Sequence, residues 1–566
     1  MKITKLVASS VALLSVALLV GCGNMSSGSS SSEKVAKKNA KGIYSPTVTI
    51  TTAKQLDENA GKYAKGDDLN TNPFIKLGVK DKGIKIKTTL LGGDAGNYNT
   101  KLRLALTGSE SLPDVFPVYD TPMASDMIDS GKVKAINGDI EKYMPERLKK
   151  IYRQFPNTMS PVTRDGKIYG ISIAPAYTEG EVMIIRQDWL DKLHLKAPRT
   201  IDELQKVMDA FTNDDPDGNG KKDTFGLTFS GKDGYATGWV ADSQTIFTAF
   251  TGNQIMNSWQ KDSNGQLAYG SIASGNKEGL AKMAEWHKKG YLYPEGGATA
   301  AWDAMKPFNE GKVGIIFGRP WVVDSLADVK TVDKKAKVVA YSNLQQQGSD
   351  KLAMQQAQVN DGYFMFNKDF KNMAAFFNYY NWLYGPAFGD KGFKYGYMEN
   401  YDYDIVKGKP EYDSTKYEQA KATVMAPDKV AITKNAPQIG YVAKAYYDIE
   451  KGVKPTTGPL FRAQWTFANR PDTAKGYAIS YEDRANLVPN QFTGAPTKSM
   501  KQKWDQLQTL EKTTYNNIVY GRQSVDSFDA FVKKWKAQGG DDITKEVNQW
   551  YKSAAKSRSE ILDNLK

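Results

Sequence analysis

The stretch GIKIKTTLLGGDAGNYNTKLRLALTGSESLPDVFPV, residues 83–118, decides the fold class. GIKIKTTLL (83–91) alternates apolar and polar residues at its start, the period of a strand. Tyr98, Leu102, Ala105 and Leu106 then recur at helical spacing, and Gly108 follows as a stop. Asp94 and Asn97, in GGDAGNY, read first as the cap of that helix and second as ligand contacts. PDVFPV (113–118) gives a short buried strand. Strand, helix and strand at this spacing predict a βαβ unit and a largely parallel sheet.

Outward from this unit the same alternation continues. TVTITT (47–52) is a β-branched strand, and DGKIYGISIAPAYTEGEVMIIRQDWLDKL (165–193) holds two strand-like pieces around Pro175. Thr200 and Glu203 fit a capping box, and Ile201, Leu204, Met208 and Phe211 share one face of the helix it opens. KVGIIF (312–317) and GYFMFN (362–367) read as buried strands, the second running into an aromatic-rich helix over 371–384. The C-terminal stretch from Asp541 reads as a long amphipathic helix using Ile543, Val547, Trp550 and Tyr551.

The chain opens MKITKLVASSVALLSVALLVGCGN. Lys2 and Lys5 precede an apolar run, Leu6 to Val20, with the length of a signal-peptide core and shorter than a membrane span. Leu19-Val20-Gly21-Cys22 resembles the bacterial lipobox, in which the Cys is acylated and the preceding segment removed. Residues 1–21 are therefore expected to be a lipoprotein signal peptide. Residues 22–42, rich in Ser, Gly and Lys, are expected to be the anchor and a flexible tether. Lipid chains on Cys22 would hold the protein on the extracellular face of the plasma membrane by apolar burial. Cys22 is the only cysteine, so a disulfide within the monomer is excluded.

The 566 residues suffice for two or more domains, and 40% apolar with 25% charged residues is ordinary globular composition. The formal charge of +13 is dispersed among 63 acids, so nucleic acid is not an expected partner. His194 and His287 lie far apart and make neither a metal pair nor a dyad. The chain lacks G-x-S-x-G, H-E-x-x-H and G-x-x-x-x-G-K-[ST] motifs. A glycosidase, needing only two carboxylates at the right separation, is not excluded by that. The 31 Tyr and 11 Trp suit a core and a ligand cleft alike.

NDDPDGNGKKDTFGL (213–227) places Asp215, Asp217, Asn219, Lys221 and Asp223 at positions 1, 3, 5, 7 and 9 of a calcium-loop pattern, with Gly220 at position 6. Lys221 would ligate through its carbonyl. Position 12 is Gly226 where an EF-hand has Glu, and the next residues, FGLTFS, read as a strand. The expectation is a structural Ca²⁺ in a helix–loop–strand; the alternative is a solvated Asp/Gly turn.

Four stretches in order, 97–116, 165–227, 308–323 and 492–551, together resemble the extracellular carbohydrate-binding lipoproteins of ABC importers, in their large Gram-positive form for oligosaccharides. The resemblance implies a two-lobed α/β fold of the periplasmic-binding-protein type II, with ligand between lobes joined by crossing strands. It implies lobe 1 from residues 43–175 and 357–488, and lobe 2 from 176–356 and 489–566. It also implies monomeric capture of an oligosaccharide, delivered unaltered to a membrane permease. A surface glycoside hydrolase and a peptide-binding or adhesion lipoprotein are the competing readings.

For the ligand, Trp321 in GRPW stands where maltodextrin-binding relatives have a stacking Trp, with Arg319 beside it. KDGYATGW (232–239) resembles another ligand stretch of those relatives and suggests Asp233, Tyr235 and Trp239, with one residue inserted before the Trp. Tyr177 in APAYTEG lies at the expected cleft floor. Asn360, Asp361 and Tyr363 would come from a return crossing, and Phe492 from NQFTGAP.

Overall fold

A computed structural model describes residues 36–56, 63, 65–108, 111–357, 359–417, 432–433 and 436–566. The signal segment and Cys22 lie outside the described residues. The first body begins with strands β1 (Val48–Gln55), β2 (Ile84–Gly92), β3 (Val115–Val118) and β4 (Gly170–Ser172). Helix α1 (Ala95–Thr107) joins β2 to β3, and α2 (Thr121–Asp129) follows β3. Asp94 caps α1 by accepting the Asn97 N–H at 2.8 Å, the first of the two roles its sequence allowed.

The chain then crosses to a second body: β5 (Val182–Arg186), α3 (Ile201–Asn213), β6 (Phe225–Leu227), β7 (Val313–Gly318) and β8 (Val338–Tyr341). The Thr200 hydroxyl accepts the Glu203 N–H at the start of α3. A short strand β9 (Gln355–Ala357) leads back to β10 (Tyr363–Phe366) in the first body. Helices α4 (Met373–Leu383), α5 (Lys444–Glu450), α6 (Gly458–Asn469) and α7 (Pro471–Glu482) follow. Strand β11 (Leu487–Pro489) returns to the second body, which α8 (Lys498–Val519) and α9 (Asp541–Asn564) complete.

The sheets run β2-β1-β3-β10-β4 and β6-β7-β5-β8. Strands β1, β2 and β3 are parallel, as expected from residues 83–118. The expectation of a largely parallel sheet needs correction, because β10 is antiparallel to β3 and β4, and β5 to β7 and β8. The reason is topological. The chain leaves each sheet at the carboxyl edge of a strand and enters the other sheet at the edge facing it. A strand that starts at that edge must run against its neighbours.

Burial follows the pattern. Met183 and Ile185 of β5 join one apolar cluster, and Val182 and Ile184 join another on the opposite face. The second sheet is thus covered on both faces, which is why VMII is continuously apolar. The first body has its own core around Ile50, Ile86, Phe116 and Phe364. Helix α9 belongs to both: Ile543 and Val547 sit in the second core, Ile561 and Leu565 in the first. Among the described residues, no helix is long and apolar enough to cross a membrane.

Candidate saccharide cleft and its tryptophan wall

The segments that cross between the bodies lie side by side as a ribbon. Ile173 donates its N–H to the Gly362 carbonyl at 2.8 Å and Ala176 to Val359 at 3.1 Å. Tyr177 exchanges backbone bonds with Gly440 and Val442, both 2.9 Å, and β9 pairs in parallel with β11. Gly362 has φ +106, and a Cβ there would sit 2.5 Å from the Val118 carbonyl oxygen. Only glycine lets the return crossing pass this close to the end of β3.

Two cavities flank the ribbon and meet at Asn360 and Asp361. The larger, about 1490 Å³, opens between the bodies and takes in Tyr177, Tyr363 and Phe492 among the expected residues. Trp259, Trp504 and Trp550 also line it; the first two had no signal beyond being aromatic, and Trp550 was read only as part of the apolar face of the C-terminal helix. The smaller, about 640 Å³, is lined by Trp321 and Arg319, together with Glu179, Arg462 and Tyr477. Both lie beyond the carboxyl edges of the sheets, where open α/β sheets bind ligands.

Beside the smaller cavity three tryptophans from separate loops form one wall. Trp239 and Trp302 stack at 5.9 Å and 23°, Trp302 and Trp321 at 6.0 Å and 25°, and Trp239 and Trp321 at 6.3 Å and 37°. Trp239 and Trp321 are half-buried against the Val182–Ile316 cluster. Trp302 is 55% exposed. Trp302 was missed in the sequence, where ATAAWDAM offers neither periodicity nor a preceding strand.

Two further expected residues, Asp233 and Tyr235, line neither cavity. Asp233 accepts the Ala301 N–H at 2.7 Å and so ties down the loop carrying Trp302. Tyr235 is a core residue: it is buried, stacks on Phe229 at 5.6 Å and donates its hydroxyl to Asn516 Oδ1 at 2.8 Å. Placing Tyr235 in the ligand site is therefore corrected. The turn that follows it points its ring into the pocket between Phe247 and Tyr515.

Arg319 is held at the wall's base. Its N–H donates to the Trp239 carbonyl at 2.9 Å and its Nε to the Gly238 carbonyl at 3.0 Å. Behind it lie two buried carboxyls, Glu181 and Asp242. Asp242 accepts the Gly238 N–H at 2.6 Å and the Gln244 N–H. Burial pushes Asp242 up to about 6, with those two amides opposing. Burial, and then the neighbouring Asp242, pushes Glu181 well above the usual carboxylate range, with Arg319 opposing.

In the 213–227 loop, Asp215 Oδ1 accepts the N–H groups of Gly218 and Asn219, both at 3.0 Å, and its Oδ2 that of Gly220 at 3.2 Å. The Asn219 amide nitrogen lies 2.8 Å from Asp217 and 3.2 Å from Asp223. Burial, with the nearby Asp215 and Asp223, raises Asp217. This crowd of hard oxygens matches the donor chemistry of Ca²⁺. Among the described residues, however, no set of three or more acidic, His or Cys side chains is arranged as a metal cage. Gly226 cannot be the bidentate Glu, since a Cβ there would lie 2.5 Å from that of Met208.

A family profile for bacterial extracellular solute-binding proteins matches residues 78–391. The polygalacturonan/rhamnogalacturonan-binding protein YtcQ of Bacillus subtilis is 28% identical over 480 residues, 80% of this chain and 83% of that one. The fructooligosaccharide ABC transporter substrate-binding protein FusA of Streptococcus pneumoniae is 28% identical over 50% of this chain and 51% of its own. Among solved structures, the alginate-binding protein AlgQ2 without calcium superposes with a TM-score of 0.61 at 17% identity, covering 91% of this chain and 100% of that one. FusA in complex with kestose gives 0.58 at 18% identity, over 90% and 99%. The two-lobed binding-protein fold expected from the sequence is thus the fold found, and the chain belongs to the bacterial extracellular solute-binding protein family.

Proposed function

We propose that this chain captures an extracellular oligosaccharide and hands it, chemically unaltered, to the permease of an ABC importer. The observation that carries the reading is the wall of Trp239, Trp302 and Trp321 beside Arg319, at the carboxyl edge of the second sheet and within reach of Asp361 on the ribbon. Sugars present apolar C–H faces and hydroxyl edges. Exposed aromatic faces suit the first, while an arginine and carboxylates suit the second. YtcQ and FusA, each named for a saccharide it binds, support the same class.

In this reading residues 43–175 with 357–488 form one lobe and 176–356 with 489–566 the other. The lobes close on ligand by hinge motion of the ribbon. Differential affinity for the closed form drives that closure. Ligand contacts come from Trp321, Trp302, Arg319, Asn360 and Asp361, with Tyr177, Tyr363 and Phe492 on the larger side. The protein works as a monomer held to the extracellular face of the plasma membrane by lipid on Cys22. The loop of Asp215, Asp217, Asn219, Lys221 (through its carbonyl) and Asp223 holds a structural Ca²⁺, which would neutralise the crowded carboxylates. A solved structure of FusA described as an EF-hand mutant supports such a loop in a structural neighbour.

The test is calorimetry of the chain lacking residues 1–22 against oligogalacturonides, kestose and a wider glycan panel, with the glycan recovered and sized afterwards. Saturable binding with intact glycan is the expected result. Turnover of the glycan would replace the reading with a hydrolase.

A further inference from the structure

Helix α9 has Ile543 and Val547 in the second core and Ile561 in the first, and its stretch from Trp550 to Arg558 runs along the larger cavity. Trp550, Tyr551, Ala554, Ala555 and Arg558 line that cavity, and their spacing puts them on one face of the helix. Among the described residues, Trp550 joins none of the apolar clusters; its half-buried ring stands T-shaped to Phe492 at 4.9 Å. The face therefore reads aromatic, then small, then basic. The two alanines leave a shallow floor, and Arg558 stands two helical turns, roughly 10 Å, beyond Tyr551.

A second cation is held over the aromatic end. Lys261 Nζ lies 5.4 Å from the centre of the Tyr551 ring. That placement is built from the backbone. Lys261 ends the short strand Trp259–Lys261 and pairs with Leu267 across a hairpin. Leu267 donates its N–H to Asn548 Oδ1 at 2.8 Å, and its carbonyl accepts Asn548 Nδ2 at 2.9 Å, one turn before Tyr551 on α9.

Among the described residues, neither Lys261 nor Arg558 makes an ion pair. The cavity's other cations are matched: Arg103 lies 3.8 Å from Asp126, and Lys501 lies 2.6 Å from Asp129. The cavity's acids are Asp126 in that pair, Asp361 on the ribbon, and Asp505 of α8, which makes no ion pair of its own. A carboxylate entering here meets two unmatched cations against that one acid. Aromatic faces suit the apolar face of a sugar ring, and a guanidinium fork suits its carboxylate.

We propose that the cavity-facing side of α9 is a saccharide subsite that takes an acidic sugar unit, with its ring against Trp550 and Tyr551 over the alanine floor and its carboxylate held by Arg558 and Lys261. The inference rests on the saccharide reading and narrows it to a uronide, a sugar chain carrying carboxylates. Because α9 is anchored in both cores, a ligand lying along this face touches the one element that both bodies share.

The test is calorimetry of the chain lacking residues 1–22 with oligogalacturonides and with their methyl esters, which keep the sugar skeleton and lose the charge. The parent chain is expected to bind the acid form about tenfold more tightly. Arg558→Gln is expected to remove most of that preference and Lys261→Gln part of it. Lys552→Gln, an exposed cation of the same helix outside the cavity lining, is expected to remove none. Ala555→Trp is expected to fill the floor and weaken binding of both forms. Arg558, Lys261 and Ala555 are exposed, so these variants are expected to melt with the parent chain. Equal affinity for acid and ester, or an equal loss in Arg558→Gln and Lys552→Gln, overturns the acidic subsite. Unchanged affinity in Ala555→Trp overturns its place on α9. Kestose binding where oligogalacturonides fail overturns this proposal and leaves the saccharide reading standing, whereas failure of every glycan overturns both.

Discussion

Trp302 leaves more than half of the largest side chain in water, and the proposed function uses that exposed, stacked face to hold a sugar. Trp302→Ala should weaken saccharide binding about tenfold, or about 1.4 kcal/mol, while moving the melting temperature little. Tyr235→Ala should do the opposite: a core ring lost costs about 3–5 kcal/mol of stability, read by denaturant melts, with its effect on affinity arising only through the loop. These two residues mark the limit of the sequence. GRPW after a buried strand announced Trp321, because a strand's end fixes where the next side chains emerge. In loops, the sequence carries no period to say which ring faces out. That is why Trp302 was missed and Tyr235 assigned to the wrong side. Glu511 gives a further residue-scale outcome. It is buried, accepts from Tyr269 at 3.2 Å, and burial pushes it up to about 7. Its folded value lies above the unfolded one, so the stability it contributes is present below about pH 4.5. That stability is lost as pH rises through about 7, at a cost on the order of 3 kcal/mol. Glu511→Gln should flatten this part of the stability curve in urea melts taken from pH 4.5 to 8.

At the scale of elements, the 213–227 loop joins α3 to β6 with Asp215 itself in a left-handed turn, φ 48, and three backbone N–H groups gathered on its carboxylate. That geometry gathers Asp217 and Asp223 around Asn219 at mutual electrostatic expense. Calcium at a hundredfold excess over its dissociation constant should stabilise the protein by about 2.7 kcal/mol. A chelator should therefore lower the melting temperature of the parent chain and leave Asp217→Asn/Asp223→Asn unmoved. An equal response in both proteins would reduce the loop to a turn. The alternation of oxygen-bearing residues was plain in the sequence. The bar against a twelfth-position acid was not, because it comes from Met208 on a neighbouring helix. The same contrast holds for β5: its apolar run was legible, but not that its alternate residues feed two separate clusters.

For the whole molecule, the ribbon is the hinge of the closure proposed above, and α9 spans the same junction. Its C-terminal end is fastened to the first body by Ile561 and Leu565, by Arg153 on the Leu565 carbonyl at 2.6 Å, and by Asn137 on Asn564 at 3.0 Å. Ligand should reduce the radius of gyration in solution scattering. Ile561→Ser/Leu565→Ser, which unfastens the strut, should expand the ligand-free form and raise the dissociation constant; unchanged scattering in both comparisons would sink hinge closure. By itself the sequence determined the βαβ unit and the aromatic supply, because periodicity and end signals are local and each element obeys them before it packs; the pairing of two bodies came from the family resemblance. Only the tertiary structure decided that returning strands run antiparallel and that Trp239, Trp302 and Trp321 gather into one wall. Those relations join residues far apart in the chain, Phe366 with Val115 and Trp239 with Trp321 among them, and no local pattern encodes which loop ends reach the same edge.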